Sequence, residues 1–129
     1  RRQRQMCIRD RANNVFGEPL ISCSQNPLTG YFRDGCCNTD ETDLGLHTIC
    51  IVATEDFLQF SYEAGNDLST PMPQYGFPGI KPGDGWCLCA LRWKEALQNN
   101  CAPKVVLEAT HEKTLEIIQL KDLIKHAYR

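Results

Sequence analysis

The chain has 129 residues and a mass of 14.6 kDa, with 42% hydrophobic and 23% charged residues and a formal net charge of −2. This balance excludes disordered, collagen-like and repeat architectures and predicts one compact domain around a single core. The longest apolar run, residues 49–53, is far shorter than the roughly 20 residues of a membrane-spanning helix, so a soluble chain without a membrane partner is expected.

Charge is unevenly placed. Arg1, Arg2, Arg4, Arg9 and Arg11 against Asp10 make the first eleven residues +4, leaving nine basic and fifteen acidic side chains, or −6, for the rest. The positive charge sits in a stretch without a hydrophobic period, so residues 1–13 read as a flexible basic arm. Nucleic acid is a poor candidate partner, because its binders carry basic patches within the fold. The arm could touch an anionic partner, or be what remains of an Arg-rich targeting segment that would place the protein in an organelle.

Residues 14–43 are turn-rich, with Gly17-Glu18-Pro19, Asn26-Pro27-Leu28-Thr29-Gly30 and Asp34-Gly35 leaving little room for long elements. Residues 47–53 are β-branched and apolar enough for a buried strand. Thr54 before Glu55 and Asp56 is a helix N-cap with acidic first-turn residues, and Phe57, Phe60 and Ala64 line one face of the helix that follows. Gly65-Asn66 ends it.

Residues 66–85 hold four prolines and four glycines, which predicts a structured Ω-like loop or a lid. Residues 86–89 read as a short strand or as the start of a helix whose face carries Ala90, Trp93 and Leu97 and which ends at Asn99, Asn100 and Pro103. Strands are expected at 105–109 and 114–118. Leu120, Leu123, Ile124 and Ala127 make the last helix amphipathic, with His126 on its polar side. The prediction is a single α+β domain over residues 14–129, with a small sheet, about three helices and a loop-rich first third.

Eight cysteines are present: Cys7, Cys23, Cys36, Cys37, Cys50, Cys87, Cys89 and Cys101. No C-x-x-C pair occurs, which counts against zinc ribbons and thioredoxin-like motifs. A chain of this size does not need staples and has no secretory-type apolar segment, so a reducing, cytoplasmic setting is expected, with thiols serving as metal ligands, redox groups or buried residues. A vicinal Cys36-Cys37 disulfide would close a small, strained ring.

Several blocks resemble the mainly bacterial domain-of-unknown-function family 2237. They are Asn14-Val15-Phe16-Gly17-Glu18-Pro19-Leu20, the run from Pro27-Leu28-Thr29-Gly30 through Arg33-Asp34-Gly35-Cys36-Cys37-Asn38-Thr39, and Gly65-Asn66-Asp67-Leu68-Ser69-Thr70-Pro71. Phe77-Pro78-Gly79, Lys81-Pro82-Gly83-Asp84, Trp86-Cys87-Leu88-Cys89-Ala90 and the run from Val106-Leu107-Glu108-Ala109 to Thr114-Leu115 join them. The resemblance covers about residues 14–127, leaves Cys7 and Cys101 outside its blocks, and implies relatives without implying a mechanism.

Three constellations could carry chemistry. Cys36, Cys37, His47, Cys50, Cys87, Cys89 and His111 are candidate metal ligands, because Cys87 and Cys89 would share a strand face and a further thiol and imidazole would complete the tetrahedral sulfur and nitrogen shell that zinc takes. Cys87 or Cys89 is alternatively a reactive thiol at the start of a helix, with His47 or His111 as its base. Arg33 could hold a carboxylate or phosphate, with His111 and Glu112 as acid and base in a small-molecule enzyme.

The competing structural readings are buried cysteines behaving as small hydrophobes, an Arg33-Asp34 turn that braces its loop, and a solvated Glu112-Lys113 turn. Trp86, Trp93, Phe57 and Phe60 read as core. The 66–85 loop, with Tyr75 and Phe77, could be the contact surface of an interaction module or of a homo-oligomer. Nucleotide-loop, zincin and nucleophile-elbow motifs are absent from the sequence. The candidate function at this level is metal binding or thiol redox chemistry at a cysteine and histidine cluster.

Overall fold

A computed structural model describes Cys7 and residues 12–128 of the chain. The basic arm expected over 1–13 lies almost wholly outside the described residues. Three strands, β1 (His47–Val52), β2 (Gly85–Cys89) and β3 (Lys104–Val105), form an antiparallel sheet in the order β2-β1-β3. Three helices accompany it: α1 (Glu55–Glu63), α2 (Ala90–Gln98) and α3 (Leu120–Lys125). The protein is a single α+β domain.

β1 occupies the centre because its residues are apolar on both faces, as a covered strand requires. Ile49 pairs with Leu88 and Ile51 with Trp86, and all four join the principal core with Phe57, Trp93 and Leu123. Cys50 pairs with Cys87, and both belong to a second buried cluster with Cys23, Cys37, Val106 and Ala109. The alternation of side chains along a strand thus sends the isoleucines to the helices and the cysteines to the loop-rich first third.

α1 begins as its sequence predicts: Thr54 is extended, and its hydroxyl accepts the Phe57 N–H at 3.1 Å. α2 follows β2 without a connecting residue, so Cys89 is at once the last residue of the strand and the N-cap of the helix. Trp93, fully buried on α2, donates its indole N–H to the Pro103 carbonyl at 3.2 Å.

Two expected strands are corrected. Only Lys104–Val105 pairs in the sheet, and the chain then curls into a 3-10 turn over Leu107–Ala109. The Thr110 hydroxyl, which donates to the Val106 carbonyl at 2.9 Å, holds that curl. Residues expected to form a strand at 114–118 instead largely form a 3-10 helix, Glu112–Glu116, which starts where the His111 ring accepts the Lys113 N–H at 3.0 Å. Thr114 is turned inward to bond Thr48 at 2.7 Å. In both places short-range side-chain bonds outcompete a ladder. His126, expected on a polar face, is half-buried with its ring edge-on to Trp93.

The 66–85 loop is structured. Ile80 and Leu68 pin it to the core, with Ile80 N–H donating to the Leu68 carbonyl at 2.7 Å. Gly79 takes a left-handed φ of 81° with Ser69 and Pro71 against it, so a side chain there would collide. Tyr75 stays exposed, while Phe77 meets Trp86 edge-on.

The largest departure concerns the thiols. Cys7 is bonded to Cys36, Cys23 to Cys50 and Cys37 to Cys87, leaving Cys89 and Cys101 free. The expectation of unpaired thiols is corrected for six of eight cysteines, and neither Cys36 nor Cys37 uses the other as partner. The bridges join the loop-rich third to the sheet and to the N-terminal segment, regions whose own elements are too few to hold them. A link across 50 residues, as between Cys37 and Cys87, restricts the unfolded chain by about 4 kcal/mol in the entropic account.

Candidate thiol cleft

Beside β2 lies a cleft of about 480 Å³ lined by Tyr31, Arg33, His47, Leu68, Cys89 and Arg92, with Gly30, Asn66 and residues 86–88 completing its wall. A second cleft of equal volume, against α1, is lined by Glu55, Tyr62, Asp67, Ile80 and Lys81, among others, and contains neither a thiol nor an imidazole. Asp67 there is held below its ordinary carboxylate value chiefly by the Thr70 hydroxyl, which outweighs the opposing effect of desolvation, with the Ser69 and Thr70 backbone N–H groups adding smaller contributions. Its carboxylate caps the loop.

The first cleft gathers chemistry from distant parts of the chain. His47 opens β1 and is the register partner of Cys89 at the end of β2, across an irregularity between His47 and Ile49. The His47 Nδ1 lies 2.7 Å from the Asp43 carboxylate. Asp43 is itself buried and accepts two further bonds, from the His47 backbone N–H at 2.9 Å and the Thr39 hydroxyl at 3.0 Å.

A carboxylate accepts, so Nδ1 donates to Asp43, and Nε2 is the ring nitrogen that Asp43 does not engage. The ring is fixed from two sides. Tyr31 stacks on it with centroids 6.2 Å apart and planes 17° from parallel, and the Tyr31 hydroxyl is anchored to Thr42. Gly45 lies so close that a β-carbon there would be 2.9 Å from the imidazole Cε1.

Positive charge surrounds the thiol. Cys89 sits at the N-terminal end of α2, where the helix dipole presents partial positive charge, and the first helical N–H, that of Ala90, donates to the Leu46 carbonyl at 2.9 Å. Arg92, one turn on, bonds the Ala64 carbonyl at 3.2 Å and Glu95 at 3.3 Å, so its charge is partly offset. Arg33 forms no ion pair with an acid among the described residues. Its guanidinium lies 5.3 Å over the Trp86 ring, and one nitrogen donates to the Gly30 carbonyl at 3.1 Å. Its backbone adopts φ 56°, a left-handed conformation that costs a non-glycine residue on the order of 1 kcal/mol. The fold therefore holds a strained arginine at the cleft.

Of the residues singled out from the sequence, Arg33, His47, Cys87 and Cys89 come together on this cleft. Cys87 contributes as half of a disulfide. His111 does not line it: the residue is buried, its N–H donates to the Thr48 carbonyl at 2.9 Å and its Nδ1 caps the following turn. Burial lowers its pKa below the usual 6.5; the effects of Glu112 and Glu116, which raise it, and Lys113, which lowers it, are smaller. Glu112 is exposed. Cys36 is packed with Leu20 and bound to Cys7, in a different buried cluster from its neighbour Cys37.

The sulfurs of Cys23, Cys37 and Cys87 lie within 4.8 Å of one another, a set that could hold a metal ion. Sequence reading missed Asp43, Tyr31, Arg92 and Cys23. Only Asp43, four residues before His47, left a usable trace.

Fold and cleft together define a small, disulfide-braced α+β domain with a free thiol beside a carboxylate-held imidazole. The chain belongs to the family described as an uncharacterized protein conserved in bacteria (DUF2237), which matches residues 13–127. No curated protein matches it. Among the described residues, no helix is long and apolar enough to cross a membrane.

Proposed function

We propose that the cleft is a thiol site in which Cys89 attacks a small anionic electrophile, His47 acts as its base, Asp43 orients His47 and Arg33 holds the anion. The observation that carries this reading is the cross-strand pairing of the free Cys89 with a histidine whose other ring nitrogen is bound to buried Asp43. Nucleophile, base and orienting acid in that order are the arrangement that activated thiols use.

In the reaction the Cys89 proton passes from Sγ to His47 Nε2. The sulfur then forms a bond to the electrophilic atom, whose leaving group departs with the electron pair and takes up the proton from the imidazolium. Arg33 contributes because its guanidinium has no carboxylate partner among the described residues and can donate two parallel bonds to a carboxylate or phosphate. The helix end adds N–H groups that suit a developing negative charge.

The test compares alkylation of native protein by iodoacetate, an anion, and iodoacetamide, its neutral counterpart, with Cys101 as the internal reference. The ratio of iodoacetate to iodoacetamide rates should be about tenfold or more higher at Cys89 than at Cys101 at low salt, and should shrink as salt is added. Arg33→Asn, which suits the left-handed backbone, should abolish the preference and leave iodoacetamide labelling in place. Equal ratios at both cysteines would refute the anionic substrate.

A further inference from the structure

We propose that Cys23, Cys37, Cys50 and Cys87, once their two disulfides are reduced, bind one zinc ion as a closed four-sulfur site. This inference is independent of the chemistry at Cys89. It starts from the placement of the sulfurs: those of Cys23, Cys37 and Cys87 lie within 4.8 Å of one another. The Cys50 sulfur lies outside that 4.8 Å set, but it is bonded to Cys23, and Cys50 is the register partner of Cys87. A zinc ion with Zn–S distances of about 2.3 Å sets its four sulfurs roughly 3.8 Å apart. Reduction lets each bonded pair spread to that separation, and small side-chain rotations draw the two pairs together.

Backbone hydrogen bonds hold the framework alongside the disulfides. The Cys23 N–H is held by the Gly35 carbonyl at 2.7 Å, the Cys50 N–H by the Thr110 hydroxyl at 3.1 Å and the Cys87 N–H by the Thr29 hydroxyl at 2.8 Å. Cys50 and Cys87 are also fixed by the β1–β2 ladder. None of these bonds involves a sulfur, so opening both bridges removes none of them at Cys23, Cys50 and Cys87.

The surroundings select the ion. All four cysteines are buried, in company with Val106 and Ala109, and among the described residues no carboxylate joins the group formed by the sulfurs of Cys23, Cys37 and Cys87. Hard cations, which want six or more oxygens, find none of these donors, whereas a soft, closed sulfur shell suits zinc. With four protein ligands no position is left for water or substrate, so the ion would hold structure and would not itself catalyse.

The exchange balances. Two molecules of a dithiol reductant supply four electrons and four protons, converting two disulfides to four thiols and leaving with two disulfides of their own. Zinc then displaces the four thiol protons as it binds. Two equivalents of a disulfide oxidant, each accepting two electrons, re-form the two bridges from the four thiolates, and the ion is released. The same four residues thus hold the loop-rich third to the sheet in either redox state, through bridges or through metal.

The experiment uses the full chain, reduced with excess phosphine, freed of reductant without air and titrated with Co2+. One equivalent should bind with thiolate-to-metal charge transfer and the intense visible bands of tetrahedral cobalt, and Zn2+ should displace it. The oxidised protein should show neither. In the zinc-bound wild type, N-ethylmaleimide should label the partly exposed Cys89 and Cys101 and spare Cys23, Cys37, Cys50 and Cys87 until a chelator removes the ion, a pattern that needs no variant. Cys23→Ser should weaken cobalt uptake by at least tenfold, and Cys101→Ser should leave it unchanged. The proposal is overturned if reduced protein takes up no Co2+, if the bound ion gives the pale octahedral spectrum, if any of the four cysteines is labelled as readily before the ion is removed as after, or if reduction unfolds the chain and zinc does not restore it.

Discussion

Replacing Asp43 by asparagine isolates what the carboxylate does for His47. Asp43 accepts three bonds, two at one oxygen from the Thr39 hydroxyl and the His47 N–H, and one at the other from His47 Nδ1. Asparagine keeps the first two through its carbonyl but places an amide donor against Nδ1. The imidazole must then move its proton to Nε2, and the basic nitrogen is lost. The stability cost is that of one charge-assisted bond, about 2 kcal/mol, and the fold persists. The kinetic cost is larger: a correctly held base contributes roughly 10²–10⁴ in enzymes, so iodoacetamide labelling of Cys89 near neutral pH should fall at least about tenfold. The assay follows Cys89 and Cys101 by peptide mapping, with urea unfolding alongside. A folded Asp43→Asn protein that labels Cys89 at the wild-type rate would refute the role given to His47.

Stability should also depend on pH through His111, whose pKa in the folded protein is lowered chiefly by burial. The unfolded chain takes up the proton near 6.5, so its contribution is complete above that pH and declines as pH falls from 6.5 through the lowered folded value. Urea midpoints at pH 7.5 and 5.5 should differ in that direction, and His111→Asn, which retains an acceptor for the Lys113 N–H, should flatten the difference. Gly45→Ala places a methyl group 2.9 Å from the His47 ring. It should slow Cys89 labelling several-fold while labelling of Cys101 is unchanged, and an unaltered Cys89 rate would show that the ring is not held from that side. Thr54→Ala removes the acceptor of the Phe57 N–H and should cost about 1 kcal/mol in urea unfolding with no effect on labelling at Cys89.

Much of the fold can be read from local chemistry. Thr54 with Glu55 and Asp56 marks the start of α1 because a hydroxyl acceptor and first-turn acids satisfy a helix end whatever packs on it. The alternation along residues 86–89 and the helical spacing of Ala90, Trp93 and Leu97 carry both halves of the β2–α2 junction, and that junction is why Cys89 could be placed at a helix N-terminus in advance. The 3-10 segments were hidden because Thr110, His111 and Thr114 bond within a few residues or across to Thr48, and alternating hydrophobicity does not report such bonds.

The disulfides were hidden for a different reason. Cys23 and Cys50, or Cys37 and Cys87, are far apart along the chain, and connectivity among eight thiols is a property of the tertiary fold. The same limit explains why His111 and His47 could not be separated as candidate bases: each precedes or opens an element near a β-branched run, and only the register of β1 against β2 puts His47, and not His111, opposite Cys89. Asp43 lies four residues before His47, but an acidic stretch of Asp40, Glu41 and Asp43 reads equally as a solvated turn.

The most direct test of the thiol site is to label native, unreduced protein with less than one equivalent of iodoacetamide and map the product. Cys89 and Cys101 are the two free thiols and are both partly exposed, so exposure alone predicts a mixture. A reactive Cys89 beside His47 predicts that nearly all of the label is on Cys89. Label divided evenly, or carried mainly by Cys101, would contradict the account.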